Sequence, residues 1–430
     1  MTPPAPARSA TCDIPAVHAA IAQPSALQPE RRALYQLAAE LLECGGSWIR
    51  DPDILDSPVA RNRIGDALAG RGGLVCSELV GISALASASG QAGELRVASR
   101  PEANILLAAA LDNIGAELGR QQAAPGSPGL LTEADTERFA SALVTLHDGV
   151  ALARSASPEL LADLLTHVAL VAILDPQRIG RLVSASSRSF PGLVLLTTPS
   201  SIDVAEGLVH EGAHQKLFDL AITHDLFNAD SGRCPPFHPP WAQQDILWPI
   251  EQTLAACHAY ACLNRFAHDV GVTSGTRVGD SSLLPVANER CEILGQWLLG
   301  KGNHLGSDAH TLLQGLLGQP PRTGCAVADR SGSLAAGYDI DDRLELRRCG
   351  SSGRVLVGCP SQPPQLYWVS EDAATLLELI GHKPLNEVVD TLAQRWKMPH
   401  GDVTNRLTRV LSDLSATGLV TPKGHLGTGL

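Results

Sequence analysis

The run Ser201-Ile-Asp-Val-Ala-Glu-Gly-Leu-Val-His-Glu-Gly-Ala-His-Gln-Lys-Leu-Phe-Asp-Leu220 carries His210-Glu211-Gly212-Ala213-His214 at its centre. Residues four apart on an α-helix stand one above the other on a single face, so the H-E-x-x-H spacing presents two imidazoles to one metal ion. The flanks predict that helix. Pro199 precedes it, Ser201 is a candidate N-cap, Asp203 and Glu206 bring acids to the first turns, and Val204, Leu208, Val209, Leu217 and Leu220 recur near helical spacing. Two histidines and a carboxylate serve zinc hydrolases and non-haem iron oxygenases alike, so the motif names donors and leaves the metal open. The plain alternative is a helix with two surface or core histidines and an unrelated glutamate.

Upstream of the motif, the turn Arg188-Ser-Phe-Pro-Gly192 and the apolar run Leu193-Val-Leu-Leu-Thr-Thr198 predict a short strand leading into the helix. Arg188 either faces the site or solvates the turn. Downstream, His224 to Trp248 is a long loop centred on Cys234-Pro-Pro-Phe-His-Pro-Pro-Trp241, of the kind that covers a site. His238, flanked by prolines, is more naturally exposed than metal-bound. Pro249 to His268 predicts a buried helix on which Glu251, His258 and Arg265, seven apart, share nearly one face. Polar groups on a buried face need partners. Glu251 is therefore the first candidate for a third metal ligand and His258 the second. A further helix over Ala287–Leu299 carries Arg290.

At 430 residues, 44% hydrophobic and 18% charged, the protein has enough apolar material for a large core and more than one domain. A formal net charge of −12 argues against a general nucleic-acid or anionic-membrane binder. Ten cysteines without a C-x-x-C pair argue against a zinc ribbon, an iron–sulfur cluster or a disulfide framework, and predict reduced thiols in a cytoplasmic protein. The N-terminus lacks the apolar core of a signal peptide. Leu160 to Leu174 is apolar but short and interrupted by Asp163 and His167, which predicts a buried helix instead of a membrane span. Residues 1–25 read as a disordered tail, 26–318 as the metal-dependent catalytic domain and 319–336 as a linker. From 337 to 423 the pattern is a hairpin over Leu344–Cys349 and Arg354–Cys359, a strand over Gln365–Val369, and three short helices. The expected architecture is mainly α with short strands around a zincin-like HExxH metal helix, plus a C-terminal α+β winged-helix domain.

The C-terminal unit resembles the PqqD-like leader-peptide recognition domain of ribosomal peptide biosynthesis. The residues that carry the likeness are the hairpin, Tyr367-Trp-Val-Ser-Glu-Asp-Ala-Ala-Thr-Leu-Leu-Glu-Leu-Ile-Gly381, Pro384-Leu-Asn-Glu-Val-Val-Asp-Thr-Leu-Ala393, and Val403 through Leu414-Ser-Ala-Thr-Gly-Leu-Val420. The resemblance implies that a precursor peptide's leader adds as a strand to the sheet, in a groove between Arg354–Cys359 and Val403–Leu411. A winged-helix DNA reader is the alternative, but the last helix offers only Arg406 and Arg409 to phosphates.

Residues 20 to 318 look like the HExxH-motif proteins of peptide-modifying gene clusters, some of which are iron- and α-ketoglutarate-dependent peptide β-hydroxylases. Phe190-Pro-Gly192, Leu208-Val-His-Glu-Gly-Ala-His-Gln-Lys-Leu217 and Pro240-Trp241 carry this likeness. Where other members show Arg-Pro-Leu-Gly, this protein has Trp248-Pro-Ile-Glu251, so Glu251 is not carried over from the family pattern. The resemblance implies Fe(II) held by His210, His214 and Glu251 or His258, with 2-oxoglutarate as co-substrate and Glu211 orienting ligands or water. Arg290, Arg265 and Arg188 are candidates for the distal carboxylate of 2-oxoglutarate. A zinc peptidase with Glu211 as general base is the main competitor, and a non-catalytic peptide carrier the third reading. The implied partner is the precursor peptide, with other peptide-maturation enzymes as further partners and neither nucleic acid nor membrane.

Overall fold

The computed structural model describes residues 12–44, 46–74, 89–92, 94–121, 129–179, 182–243, 245–272, 278–319, 337–349, 353–380 and 382–423. The protein is mainly helical with small sheets, and it divides into two compact units. The first comprises Met1–Arg31, Gly46–Gly65 and Val75–Pro321; the second comprises Arg32–Gly45, Asp66–Leu74 and Arg322–Leu430. No helix among the described residues is long and apolar enough to cross a membrane.

Among the described residues, the helices of eight residues or more up to residue 321 are α1 (Ile14–Ile21), α2 (Pro24–Leu41), α3 (Pro58–Leu68), α4 (Ala108–Gln121), α5 (Glu137–Ala156), α6 (Pro158–Leu165), α7 (Ser201–Thr223), α8 (Ile250–Asp269), α9 (Ala287–Leu299) and α10 (Ser307–Leu316). Five strands, β1 (Ser89–Ala92), β2 (Leu95–Ala98), β3 (Leu170–Ile173), β4 (Ser184–Ser186) and β5 (Leu193–Leu196), form one sheet in the order β1-β2-β3-β5-β4. The inner strands β2, β3 and β5 are parallel, and both outer strands are antiparallel to their neighbours.

Two expectations need correcting here. Residues 1–25 are not a tail throughout: Asp13 Oδ1 accepts from Ala16 N at 3.3 Å to cap α1, and Ile14 and His18 are buried. The apolar run 160–174 is not one helix either. It is helical only to Leu165 and then becomes β3, whose four residues are all buried. Val171 and Ile173 join one core cluster and Leu170 and Ala172 the other, so the strand is covered on both faces. A strand buried on both faces reads as continuous apolar sequence, and periodicity cannot tell it from a buried helix.

Helix α7 is the centre of this unit. Its N-cap is Ser200, not Ser201, with the Ser200 hydroxyl accepting from Asp203 N at 3.3 Å. Buried residues lie on all its sides, among them Val204, Leu208, Val209, Leu217 and Leu220 but also Glu206, Gln215, Lys216 and Asp219. A surface helix would show one apolar stripe, whereas a helix covered all round must satisfy its polar side chains internally. Gln215 does so by accepting from Gly192 N at 2.5 Å and donating to Leu193 O at 2.9 Å, which ties α7 to the start of β5. Asp219 accepts from Arg31 and pairs with His167 Nδ1 at 2.6 Å; burial alone would raise its pKa, but these partners hold it below the ordinary carboxylate range. Glycines set the spacing around α7. A Cβ on Gly207 would stand 2.9 Å from Leu196 Cδ2 and 3.2 Å from Ser184 Cβ, so the absence of a side group lets β4 and β5 lie directly on the helix.

In the second unit β7 (Glu345–Arg348), β8 (Arg354–Cys359) and β9 (Gln365–Ser370) form an antiparallel sheet with β8 in the middle, followed by α11 (Glu371–Ile380), α12 (Leu385–Trp396) and α13 (His400–Ala416). Strands β6 (Tyr338–Asp339) and β10 (Thr421–Pro422) pair antiparallel, joining the two ends of this segment. The boundary expected at 337 is too late in one respect. Leu37 and Leu41 of α2 lie against Gly358, where an added Cβ would come within 2.7 Å of Leu41 Cδ1, and Arg347 is ion-paired with Glu40. Residues 32–45 thus pack on the C-terminal sheet. The expected linker, 319–336, falls almost wholly outside the described residues.

Candidate functional site

Helix α7 delivers His210 and His214 from successive turns, with ring centroids 4.8 Å apart and planes at 55°. Glu211 joins them: one ligand atom from each of His210, Glu211 and His214 lies within 4.8 Å of the others. Glu211 is buried and fixed from β4, accepting from Ser184 Oγ at 2.7 Å and Ser186 Oγ at 2.5 Å. Ser184 and Ser186 are two apart on a strand, so both hydroxyls point to one face. Gly207, one turn before Glu211, is what allows that face to reach the helix. Burial and the neighbouring His210 push the His214 imidazole down to about 4, so the ring is neutral and presents a lone pair near neutral pH.

The histidines open onto a cavity of about 520 Å³. Ser186, Ser187 and Arg188 bound it on the strand side, Leu217, Phe218 and Ala221 along α7, Phe227 and Trp248 from the loop, and Glu251, Ala255, Ala256 and Tyr260 along α8. The proline-rich loop therefore does contribute to the cavity wall, pinned where Phe237 and Trp248 exchange backbone hydrogen bonds at 2.8 and 2.7 Å. His238 is exposed.

The other expected site residues are distributed differently. Glu251 lines the cavity, but its carboxylate is outside the three-residue donor group and accepts weakly from Ser231 Oγ at 3.4 Å. His258 stands outside the donor group of His210 and His214 and outside the cavity lining. It is fully buried, with Nε2 2.6 Å from His18 Nε2. Arg188 stands exposed on the cavity rim. Arg290 donates to the Tyr260 hydroxyl at 2.7 Å and stacks over Trp241 at 4.7 Å, so it reaches the cavity through Tyr260. Arg265 is elsewhere, held by Asp269 at 2.9 Å and by the Cys12 carbonyl at 3.3 Å. Among the described residues, Glu211, and neither Glu251 nor His258, stands in one donor group with His210 and His214, and of the three arginines Arg265 lies away from the cavity.

Sequence reasoning missed Ser184, Ser186 and Tyr260. The alternation Ser184-Ala185-Ser186 was a signal for two hydroxyls on one strand face, but the partner strand had to be known to aim them. It also missed that the thiols are not uniform: Cys12, Cys234, Cys257, Cys262, Cys291, Cys349 and Cys359 are free, while Cys44 is disulfide-bonded.

No protein-family model matches the sequence, and no curated protein is significantly similar to it.

Proposed function

We propose that the first unit is an iron- and 2-oxoglutarate-dependent hydroxylase of ribosomally made peptides, with His210, His214 and Glu211 as the metal donors. Two imidazoles and one carboxylate are the donor set that suits non-haem Fe(II) and leaves positions open for a bidentate co-substrate and O2. With those bound, the metal supplies hydroxylation of an aliphatic C–H bond in the peptide, while 2-oxoglutarate and O2 become succinate, CO2 and the inserted oxygen.

The protein's own residues do the rest. Ser184 and Ser186 occupy one lone pair on each Glu211 oxygen and leave the others directed by the strand. Arg188 supplies a cation at the rim for the distal carboxylate of the co-substrate, and Arg290 polarises the Tyr260 hydroxyl, whose own proton can be donated into the cavity. Leu217, Phe218, Phe227 and Trp248 give the cavity apolar walls that exclude water from the reacting carbon.

The observation that carries this reading is the donor group itself: a carboxylate oxygen of Glu211, held from β4 by two serine hydroxyls, lies within 4.8 Å of a ring nitrogen of each imidazole, as a two-histidine, one-carboxylate set for Fe(II) requires. Anaerobic loading with Fe(II), then 2-oxoglutarate, O2 and candidate peptides, separates this reading from a zinc peptidase: hydroxylation gives a product heavier by about 16 Da together with succinate, and peptidase activity gives cleaved peptide.

The second unit serves as the leader-binding, PqqD-like winged-helix module of this enzyme. Because Arg354–Cys359 is flanked by strands on both sides, an incoming peptide cannot pair with it as the family resemblance implied; Val403, Leu407 and Leu411 are core residues. Strand addition requires an unpaired edge, and in this sheet that edge is Glu345–Arg348 or Gln365–Ser370. Tethering the leader makes presentation of the core peptide effectively intramolecular. The setting that fits is the cytoplasm, alongside other peptide-maturation enzymes.

A further inference from the structure

A second cluster of donors lies in the first unit, apart from the cavity. His18 of α1 and His258 of α8 face each other with Nε2 atoms 2.6 Å apart, and Cys262 Sγ is 3.9 Å from His258 Nε2. All three residues are buried, and one ligand atom from each lies within 4.8 Å of the others. His18 Nδ1 is 2.6 Å from Asp163 Oδ2, and Asp163 is in turn ion-paired with the buried Lys216.

We propose that His18, His258 and Cys262 form a buried structural site for a soft d10 cation, Cu(I) or Zn(II), separate from the HExxH centre.

The orientation of His18 is the strongest support. A metal-ligating histidine characteristically gives its other ring N–H to a carboxylate, which fixes the tautomer and turns the remaining lone pair toward the ion. Asp163 holds His18 in that way, and Lys216 cancels the carboxylate's charge, so the pair adds no net charge beside the donors. Without an ion, His18 Nε2 accepts a hydrogen bond from His258 Nε2, so the lone pair that Asp163 turns inward meets only another imidazole.

The spacing fits as well. Metal–nitrogen bonds of about 2.0–2.1 Å put two such nitrogens about 3.3–3.6 Å apart, and a sulfur at about 2.3 Å from the metal comes about 3.5–3.8 Å from each nitrogen. The observed 3.9 Å between Cys262 Sγ and His258 Nε2 needs almost no change, and the two rings must part by less than about 1 Å. On binding, the Cys262 thiol releases its proton to solvent and the thiolate bonds the metal. With Asp163 and Lys216 cancelling, a monovalent ion leaves the site neutral, whereas Zn(II) leaves one positive charge and wants a fourth ligand. Charge therefore favours Cu(I).

The test uses the full-length protein with both His210→Ala and His214→Ala, so that the cavity no longer holds metal. It is loaded with Cu(I) under anaerobic reducing conditions or with Zn(II), freed of excess ion, and analysed for bound metal and by X-ray absorption. We expect about one retained equivalent with scattering from one sulfur and two imidazoles, and at least tenfold weaker retention after Cys262→Ser or His18→Gln, with Cys257→Ser as an unaffected control. Retention of Cu(I) over Zn(II) supports the charge argument. No retained ion, an ion without sulfur scattering, or an ion indifferent to Cys262→Ser overturns the proposal. The absorption measurement needs no substitution in the cluster, so a variant that fails to fold does not spoil the test. A wild-type protein that retains this ion yet hydroxylates no peptide counts against the catalytic reading alone.

Discussion

Two donor clusters stand in the first unit, one carried by α7 alone and the other by α1 and α8, and they differ in what they face. His210, Glu211 and His214 open onto a cavity of about 520 Å³ with apolar walls and an arginine on its rim. His18, His258 and Cys262 are sealed, with Asp163 and Lys216 packed behind them. Residue type alone does not separate them, since each contains two imidazoles and one acidic donor. Access does: an open cluster can exchange small ligands and so take part in turnover, while a closed one can only hold what the fold encloses. The lesson is that HExxH chemistry should depend on exchange at α7, and stability on the cluster behind α8.

The largest effect that would sharpen this contrast is on activity. His210→Ala or His214→Ala should lower peptide modification by about 10³-fold or more, while denaturant unfolding of the metal-free protein stays close to wild type. If unfolding shifted as much as turnover, the open cluster would be structural and the contrast would break. Asp163→Ala should do the reverse. It leaves Lys216 buried without its carboxylate and His18 without its acceptor, a loss of about 3–5 kcal/mol in urea unfolding, with Fe(II) still bound at the cavity by competition titration.

A smaller effect is expected from Ser184→Ala together with Ser186→Ala. Freed of both hydroxyls, Glu211 should lose its orientation, with a drop of about 10–100-fold in metal affinity or turnover. Unchanged affinity would place Glu211 outside the donor set. The smallest effect is the pH dependence of the metal-free protein. Burial pushes His18 down to about 4, although Asp163 pulls against it. Its folded pKa lies below the unfolded value of about 6.5, so the unfolded state binds more protons in between. Stability should therefore be full above about pH 6.5 and decline toward pH 4, and His18→Gln should flatten part of that decline in thermal melts.

How far the site was legible from sequence differs residue by residue. His210 and His214 were placed correctly because four-residue spacing on a helix is a local rule that no distant contact alters. Glu251 and His258 were proposed because they share a face of α8 with each other. That inference was sound about the helix but silent about which part of the face meets the cavity. Glu251, Ala255, Ala256 and Tyr260 line the cavity, whereas His258, about two turns on from Glu251, turns into the closed interior and meets His18. The apolar run 160–174 failed for the opposite reason. Its composition suits a buried strand and a buried helix equally, and only pairing of β3 with β2 and β5 decides.

The sequence by itself determined that His210 and His214 share one helix face, the helices on either side of it, and the three-strand, three-helix pattern after residue 337. Each of these is set by periodicity, capping or turn chemistry within a short window. Only the tertiary structure decided that Glu211 is the carboxylate beside the imidazoles, that β8 has no free edge, and that His18 meets His258 across 240 residues of sequence. The reason is physical. A hydrogen bond or a shared ion constrains positions in space, and when the partners are far apart in sequence the residues between them bear no local mark of the contact.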